Sequence, residues 1–302
     1  MLALIAPGQG SQIPGMLTSW IGDPILRVQL TAWSSAIKLD LVHLGTTADA
    51  DEIKNTANAQ PLIVATSLIA SHALKLQNIG VTSGHSVGEL AAAAISGAMS
   101  ELDALTFVRA RGVEMATAAA QSPAGMSAVL GGDRSEVLAT IEKLGLVPAN
   151  DNGGGQIVAA GDLRALATLN ENPPAGARVR ALAVAGAFHS EFMSPAVPQL
   201  RALAATMTTQ GTKLAFISNR DGALISDGAE ILARIVNQIA NPVRWDLCMA
   251  RLKSMGVTGV IELPPAGTLV GLLKRAVPEI ETFALKSAAD LLSAREFAGR
   301  HA

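Results

Sequence analysis

The apolar positions of this chain gather into short unbroken runs, set between longer stretches with a helical rhythm. Met1-Leu2-Ala3-Leu4-Ile5-Ala6 is the first such run; it has no basic leader, and Pro7 and Gly8 stop it at once. It predicts a buried strand and not a cleaved signal. Runs at residues 213–218 and 257–263 predict further strands of the same sheet. Helices are predicted over 60–76, with Pro61 in the first turn, over 86–98, and over 101–121, capped by Ser100 and stopped at Pro123. At about residue 124 the texture changes. Residues 125–132, 156–161 and 178–184 predict strands, and 135–144 and 163–169 predict helices. This β-α-β-α-β block, 124–187, is expected as a small lobe inserted into a larger one made of 1–123 and 188–302. Pro264-Pro265-Ala266-Gly267 predicts a turn, and the tail from Ala288 predicts a helix that frays.

Composition narrows the class. The chain has 302 residues, 49% of them hydrophobic and 16% charged, which is globular and not disordered. Tyrosine is absent, so the core rests on close backbone packing and on Leu, Ile and Val. A net charge of −2 leaves no electrostatic footprint for nucleic acid. No apolar run reaches the length of a membrane span. The single cysteine, Cys248, allows neither an intrachain disulfide nor a thiolate metal cluster. Near Trp245 and Leu247 it reads as a small buried hydrophobe, and a reducing, cytoplasmic setting is expected.

The candidate chemistry sits at Gly84-His85-Ser86-Val87-Gly88, between an apolar run and Glu89-Leu90-Ala91-Ala92-Ala93-Ala94-Ile95. Flanking glycines permit a sharp strand-to-helix turn that lifts Ser86 into open space, with the next backbone N–H pointing the same way. That is the geometry of an acyl-transfer nucleophile, which needs a base. Of five histidines, His43 and His72 fit surface or packing roles, His301 sits loose at the terminus, and His85 leaves the turn on another side to shape the pocket. His189, in Gly186-Ala187-Phe188-His189-Ser190, lies where the chain re-enters the large lobe and is the candidate base. No Asp or Glu stands as an obvious third member; Asp221 and Asp246 read as turn and surface residues. A Ser–His dyad with a backbone carbonyl behind the imidazole is as plausible as a triad. Arg111, beside Arg109 and Glu114, reads on charge pattern alone as part of a solvated stripe.

Seven spaced motifs together resemble the malonyl-CoA:acyl carrier protein transacylases of type II fatty-acid synthesis, and the stand-alone actinobacterial versions in particular. They are Pro7-Gly8-Gln9-Gly10-Ser11-Gln12, Gln60-Pro61, the Ser86 pentapeptide with Glu89, Arg111-Gly112 with Met115, Asn152 with Gly155-Gln156, Phe188-His189-Ser190, and Ser218-Asn219-Arg220-Asp221 followed by Asn241-Pro242-Val243 and Trp245. The resemblance implies an α/β fold: a large α/β-hydrolase-like lobe with a central, mostly parallel sheet, plus an inserted small ferredoxin-like lobe. It implies Ser86 as nucleophile, His189 as base, and the N–H groups of Gln9 and Val87 as oxyanion hole. It further implies Arg111 on the malonyl carboxylate, the Gln238 carbonyl behind His189, and Gln60, His85 and Asn152 near the pocket. Neither cofactor nor metal is needed. The partners expected are malonyl-CoA and an acidic acyl carrier protein, met by a monomer through basic residues among Arg251, Lys253, Lys274, Arg275 and Lys286. Val87, Gly154 and Gly186 depart from residues common in relatives, and Gly186 weakens any carry-over of acyl selectivity from polyketide synthase domains. Three alternatives stay open: an α/β-hydrolase-type esterase or thioesterase using a late histidine, a non-enzymatic docking module, and a malonyl transferase of polyketide synthesis or malonate decarboxylation.

Overall fold

A computed structural model describes residues 1–302. Two sheets organise it. The larger is built from β1 (Leu2–Ala6), β2 (Val81–Gly84), β7 (Ala215–Ile217), β8 (Leu224–Ile225), β10 (Gly259–Glu262) and β11 (Glu281–Ala284), in the order β11-β10-β1-β2-β7-β8. Every pairing is parallel except that of β8 with β7. β1 and β2 are buried along their whole length because helices cover both faces of this sheet, so they read as unbroken apolar or small-residue runs.

The smaller sheet takes β3 (Ala124–Gly131), β4 (Val147–Asp151), β5 (Gln156–Asp162), β6 (Ala177–Ala181) and β9 (Val243–Arg244), in the order β6-β3-β5-β4-β9. With helices Arg134–Lys143 and Leu163–Glu171, the first four strands form the β-α-β-β-α-β unit of a ferredoxin-like lobe. The fold class is the expected one, and the inserted segment has one strand, β4, more than the pattern shows. β4 escapes a hydrophobic reading because its sequence, Val-Pro-Ala-Asn-Asp, is poor in strand formers, and its pairing with β5 shifts register between Pro148 and Asn150. β9 comes from beyond the insert and pairs in parallel with β4, Asn150 opposite Val243.

Two helices beside the site show how sequence sets their ends. Ser100 accepts from Asp103 N–H (3.0 Å) and starts Glu101–Ala119, as expected. Thr56–Leu74 begins four residues earlier than the pattern suggested, on an Asn55 cap, so Pro61 lies inside it and not in its first turn. Proline cannot donate to the carbonyl four residues back. Arg109 Nη1 donates to that carbonyl, Ala57 O, at 2.8 Å, which makes it a half-buried structural cation and not a solvated one.

The tail also differs from expectation. Leu291–His301 is a packed helix with Ala294, Phe297, Ala298 and His301 buried. The His301 ring stacks on Phe297 at 4.5 Å and its Nδ1 pairs with Thr258 Oγ1 at 3.0 Å. Gly259 leaves room for that ring, since a Cβ there would lie 2.3 Å from it. Polar residues at 293, 295 and 296 hide this apolar stripe, and the histidine is anchored where a loose end is expected. No helix is long and apolar enough to cross a membrane.

Candidate active site

The turn after β2 is forced by backbone crowding. A Cβ on Gly84 would lie 2.1 Å from the Gly88 carbonyl, and one on Gly88 would lie 2.3 Å from Ala6 O. No side chain fits at either place, which accounts for both glycines of the pentapeptide. Ser86 between them has φ +54°, and His189 has φ +60°. The other non-glycine residues with positive φ, Lys38 and Lys75, cap helix C-termini, so strain outside helix ends is confined to these two. Such conformations cost about 1–3 kcal/mol each and persist only where neighbours hold them. Asn219 is one such neighbour: its Oδ1 accepts the Ser86 N–H at 2.8 Å and its Nδ2 donates to Gly84 O at 2.7 Å.

Ser86 Oγ and His189 Nε2 are 2.7 Å apart, although 103 residues separate them in sequence. His189 Nδ1 lies 2.8 Å from the Gln238 carbonyl oxygen. Donation of Nδ1–H to that carbonyl fixes the tautomer and leaves the Nε2 lone pair for the serine hydroxyl. Burial, and then the nearby Arg111 charge, hold the imidazole down to about 3, so it is neutral at neutral pH. No carboxylate bonds to the ring, and Asp221 and Asp246 are engaged with Arg234 and Arg244.

The backbone N–H groups of Gln9 and Val87 form no hydrogen bond within the chain. Gln9 lines the cleft beside Ser86, on a loop pressed against the turn: a Cβ on Gly8 would lie 2.8 Å from His85 O. The cleft holds about 660 Å³ and is lined by Gln9, Gln60, His85, Ser86, Asn152 and His189, among others. His85 Nε2 donates to Asn152 Oδ1 at 2.9 Å, and its ring sits edge-on to Trp245 at 5.7 Å. Burial lowers its pKa, so this ring too is neutral, and it forms wall. A second depression of about 730 Å³, between helices Val197–Ala204 and Gly228–Gln238, contains neither Ser86 nor His189.

Arg111 is 1% exposed, which overturns the solvated-stripe reading. Its face of Glu101–Ala119 packs closely on Thr56–Leu74, where a Cβ on Gly112 would lie 2.9 Å from Thr56 O. Arg111 Nη1 donates to Gln60 Oε1 (2.7 Å) and Nη2 to Gln238 Oε1 (3.2 Å), while Nε has no partner. Burial lowers the guanidinium to about 10, and it stays charged. Gln60 stands between it and the cleft and is itself a lining residue.

Sequence reasoning gave no role to Glu89, to the Asn219 side chain or to the Gln238 side chain. The first carried a signal: Glu89 is the only charge in an otherwise small and apolar helix, Gly88–Ser96. Asn219 carried none beyond its place in Ser218-Asn219-Arg220-Asp221, and the Gln238 side chain carried none. No cluster of three or more His, Cys, Asp or Glu side chains is placed to hold a metal ion.

A strained serine at a strand-to-helix turn, a neutral imidazole on its hydroxyl and free backbone donors beside it make up the equipment of acyl transfer through a serine ester. Comparison with known proteins agrees. The family described as "Acyl transferase domain" matches residues 4–295, and the chain belongs to that family. It is 52% identical over 296 residues to the malonyl CoA-acyl carrier protein transacylase of Mycobacterium tuberculosis, covering 96% of this chain and 98% of that protein. The corresponding protein of Bacillus subtilis is 32% identical over 294 residues, 94% and 93% of the two chains. The crystal structure of MCAT from Mycobacterium tuberculosis superposes with a TM-score of 0.94 at 51% identity, covering 97% of this chain and 99% of that one.

Proposed function

We propose that this chain transfers a malonyl group from malonyl-CoA to the phosphopantetheine thiol of an acyl carrier protein, through an ester on Ser86. The relatives' names support the substrates, and a malonyl-transacylase solved with its type II PKS acyl-carrier protein resembles this chain at TM-score 0.92 and 28% identity. The observation that carries the mechanism is the 2.7 Å contact of Ser86 Oγ with His189 Nε2, backed by the Gln238 carbonyl.

In the first half-reaction His189 accepts the Ser86 proton as Oγ adds to the thioester carbonyl. The oxyanion is received by the N–H groups of Gln9 and Val87, at the N-terminal end of helix Gly88–Ser96, where the backbone dipoles favour negative charge. Each donor of this kind contributes on the order of 3 kcal/mol in the transition state. The C–S bond breaks and His189 returns the proton to the coenzyme A thiolate. The carrier thiol then repeats the sequence: His189 takes its proton, sulfur adds to the serine ester, and Ser86 leaves with the proton restored.

Arg111 serves the far end of the acyl group. A malonyl carboxylate that displaces the Gln60 oxygen gains a charged donor that keeps its charge when buried. Neutralising Arg111 also removes the second of the influences that hold His189 down, so the substrate makes its own base more basic.

The finer assignments rest on charge. We read the carrier protein as an acidic one of fatty-acid synthesis, the enzyme as a cytoplasmic monomer, and Arg275 with Lys274 as the docking cations. Arg275 Nη2 reaches Gln156 Oε1, a cleft residue, at 3.4 Å. Lys253 is paired with Glu279, and Arg251 donates to Gly222 O. The esterase alternative loses its late histidine, because His301 is packed on Phe297 and Thr258.

The test is the intact mass of the protein after brief exposure to malonyl-CoA. One malonyl adduct in the wild type and none in Ser86→Ala is expected. An adduct that survives Ser86→Ala would end the assignment.

A further inference from the structure

Glu89 is a carboxylic acid 1% exposed, three residues beyond the nucleophile, and the mechanism above does not use it. Its Oε1 accepts from the Asn219 backbone N–H and its Oε2 from Gln238 Nε2, both at 2.6 Å. Neither oxygen faces an acceptor. Glu89 makes no ion pair with Arg111, and the two buried charges are joined only through the Gln238 side chain. That amide donates from Nε2 to Glu89 and Asn219 Oδ1, and accepts at Oε1 from Arg111 Nη2. The Gln238 backbone carbonyl meanwhile holds His189. One residue therefore serves the acyl-end cation with its side chain and the base with its main chain.

A primary amide fits a site either way round unless its neighbours forbid one orientation. Here the ionised Glu89 carboxylate, which only accepts, forbids it together with Asn219 Oδ1. The two acceptors hold the Gln238 NH2 toward Glu89 and so the Gln238 oxygen toward Arg111. A neutral amide at position 89 would satisfy only one of the two donors it faces. Turning Gln238 over relieves that clash but brings its NH2 against the guanidinium.

We propose that Glu89 is a positioning residue that fixes the Gln238 amide, and through it the Arg111 guanidinium, and so sets the preference for acyl thioesters ending in a carboxylate. This rests on the malonyl-transfer reading. The Ser86–His189 contact depends on the Gln238 main chain and is not expected to follow the side chain.

The protonation state of Glu89 gives a second handle. Burial pushes its carboxyl up to about 8, against the pull of the Asn219 N–H and of the Arg111 and Arg234 charges. The titratable groups facing it are Arg111 from Glu101–Ala119, Arg234 from Gly228–Gln238, Asp221 from the β7–β8 turn and Cys248 from Trp245–Ser254. Burial raises the Cys248 thiol, so it stays neutral, and Arg111 stays charged to about 10. Between pH 6.5 and 9, Glu89 is thus the group whose charge changes in this cluster. A protonated Glu89 loses its hold on the amide.

The experiment compares kcat/KM for malonyl-CoA and acetyl-CoA across that range in wild type, Glu89→Gln and Glu89→Asp, with thermal melts and intact mass of the acyl-enzyme. At pH 8.5, Glu89→Gln should lower the malonyl-to-acetyl ratio at least tenfold, mainly through KM, and Glu89→Asp should recover part of it. The wild-type ratio should climb with pH and that of Glu89→Gln should stay flat. A folded Glu89→Gln protein with an unchanged ratio, or with equal losses for both donors, overturns the inference. If that variant does not fold, a flat wild-type ratio overturns it and a climbing one supports it. A wild type that never gains malonyl mass removes the function reading and this inference with it, whereas an acylated wild type with an unchanged ratio in Glu89→Gln removes the inference alone.

Discussion

Asn219→Ala isolates what holds the strained serine. Asn219 is fully buried, and truncation strands two groups: the Ser86 N–H, which donates to Oδ1 at 2.8 Å, and Gly84 O, which accepts from Nδ2 at 2.7 Å. Gln238 Nε2 keeps its bond to Glu89, so it is not counted. A buried polar group left without a partner costs about 1–3 kcal/mol, so the two together cost about 2–6 kcal/mol. For a chain of this length the unfolding entropy near the melting point is about 0.6 kcal/mol/K, which converts the loss into a fall in Tm of roughly 3–10 °C. Relaxation of Ser86 from φ +54° gives back part of this, up to about 1–3 kcal/mol of strain, so the fall should lie toward the lower end of that range, and the hydroxyl swings away from His189. The assay pairs a thermal melt with rapid-quench measurement of acyl-enzyme formation. Both should fall, the second by at least tenfold. A melt within 1 °C of wild type with an unaltered acylation burst would refute the reasoning, because it would mean that the turn holds itself.

Three further outcomes are expected. Arg111→Ala removes a charged fork worth about 3–4 kcal/mol to a carboxylate, so malonyl transfer should fall about a hundred- to thousandfold and acetyl transfer much less; equal losses would show that Arg111 is not the carboxylate clamp. Charge reversal at Lys274 and Arg275 should raise the apparent KM for acyl carrier protein and leave that for malonyl-CoA unchanged, as read from steady-state kinetics; an unchanged KM for the carrier would remove both residues from the docking surface. The His72 ring bonds Glu101, which raises its pKa above the ordinary histidine value. Its stabilising contribution is complete below about pH 6.5 and fades as pH rises through the raised value, so urea midpoints across pH 6–8 should decline less in His72→Asn than in wild type; parallel curves would show that the pair contributes nothing.

The elbow was legible because everything that makes it is local: two glycines, a strand before and a helix after. His189 was legible more weakly, through its place at the return from the insert. Arg111 was misread from pattern because its burial is decided by the packing of two helices, with partners 51 and 127 residues away. The same distance hid Glu89 and Asn219, whose bonds span 130 to 149 residues. Local chemistry names a nucleophile, whereas polar partners that meet across a core leave no periodic trace. The tail fails for a similar reason: His301 is buried by an absent side chain at Gly259, 42 positions earlier in the chain.

β9 has a mechanical consequence. The inserted lobe is joined to the rest of the chain before β3 and after β6, and two such crossings by themselves would let the insert swing like a door. Val243 and Arg244 add a third fastening, a strand pairing to β4 contributed by the chain that follows the insert. The wall carrying Asn152 begins one residue beyond that pairing. Opening the cleft by a swing of the insert would therefore break the β4–β9 pairing beside that wall.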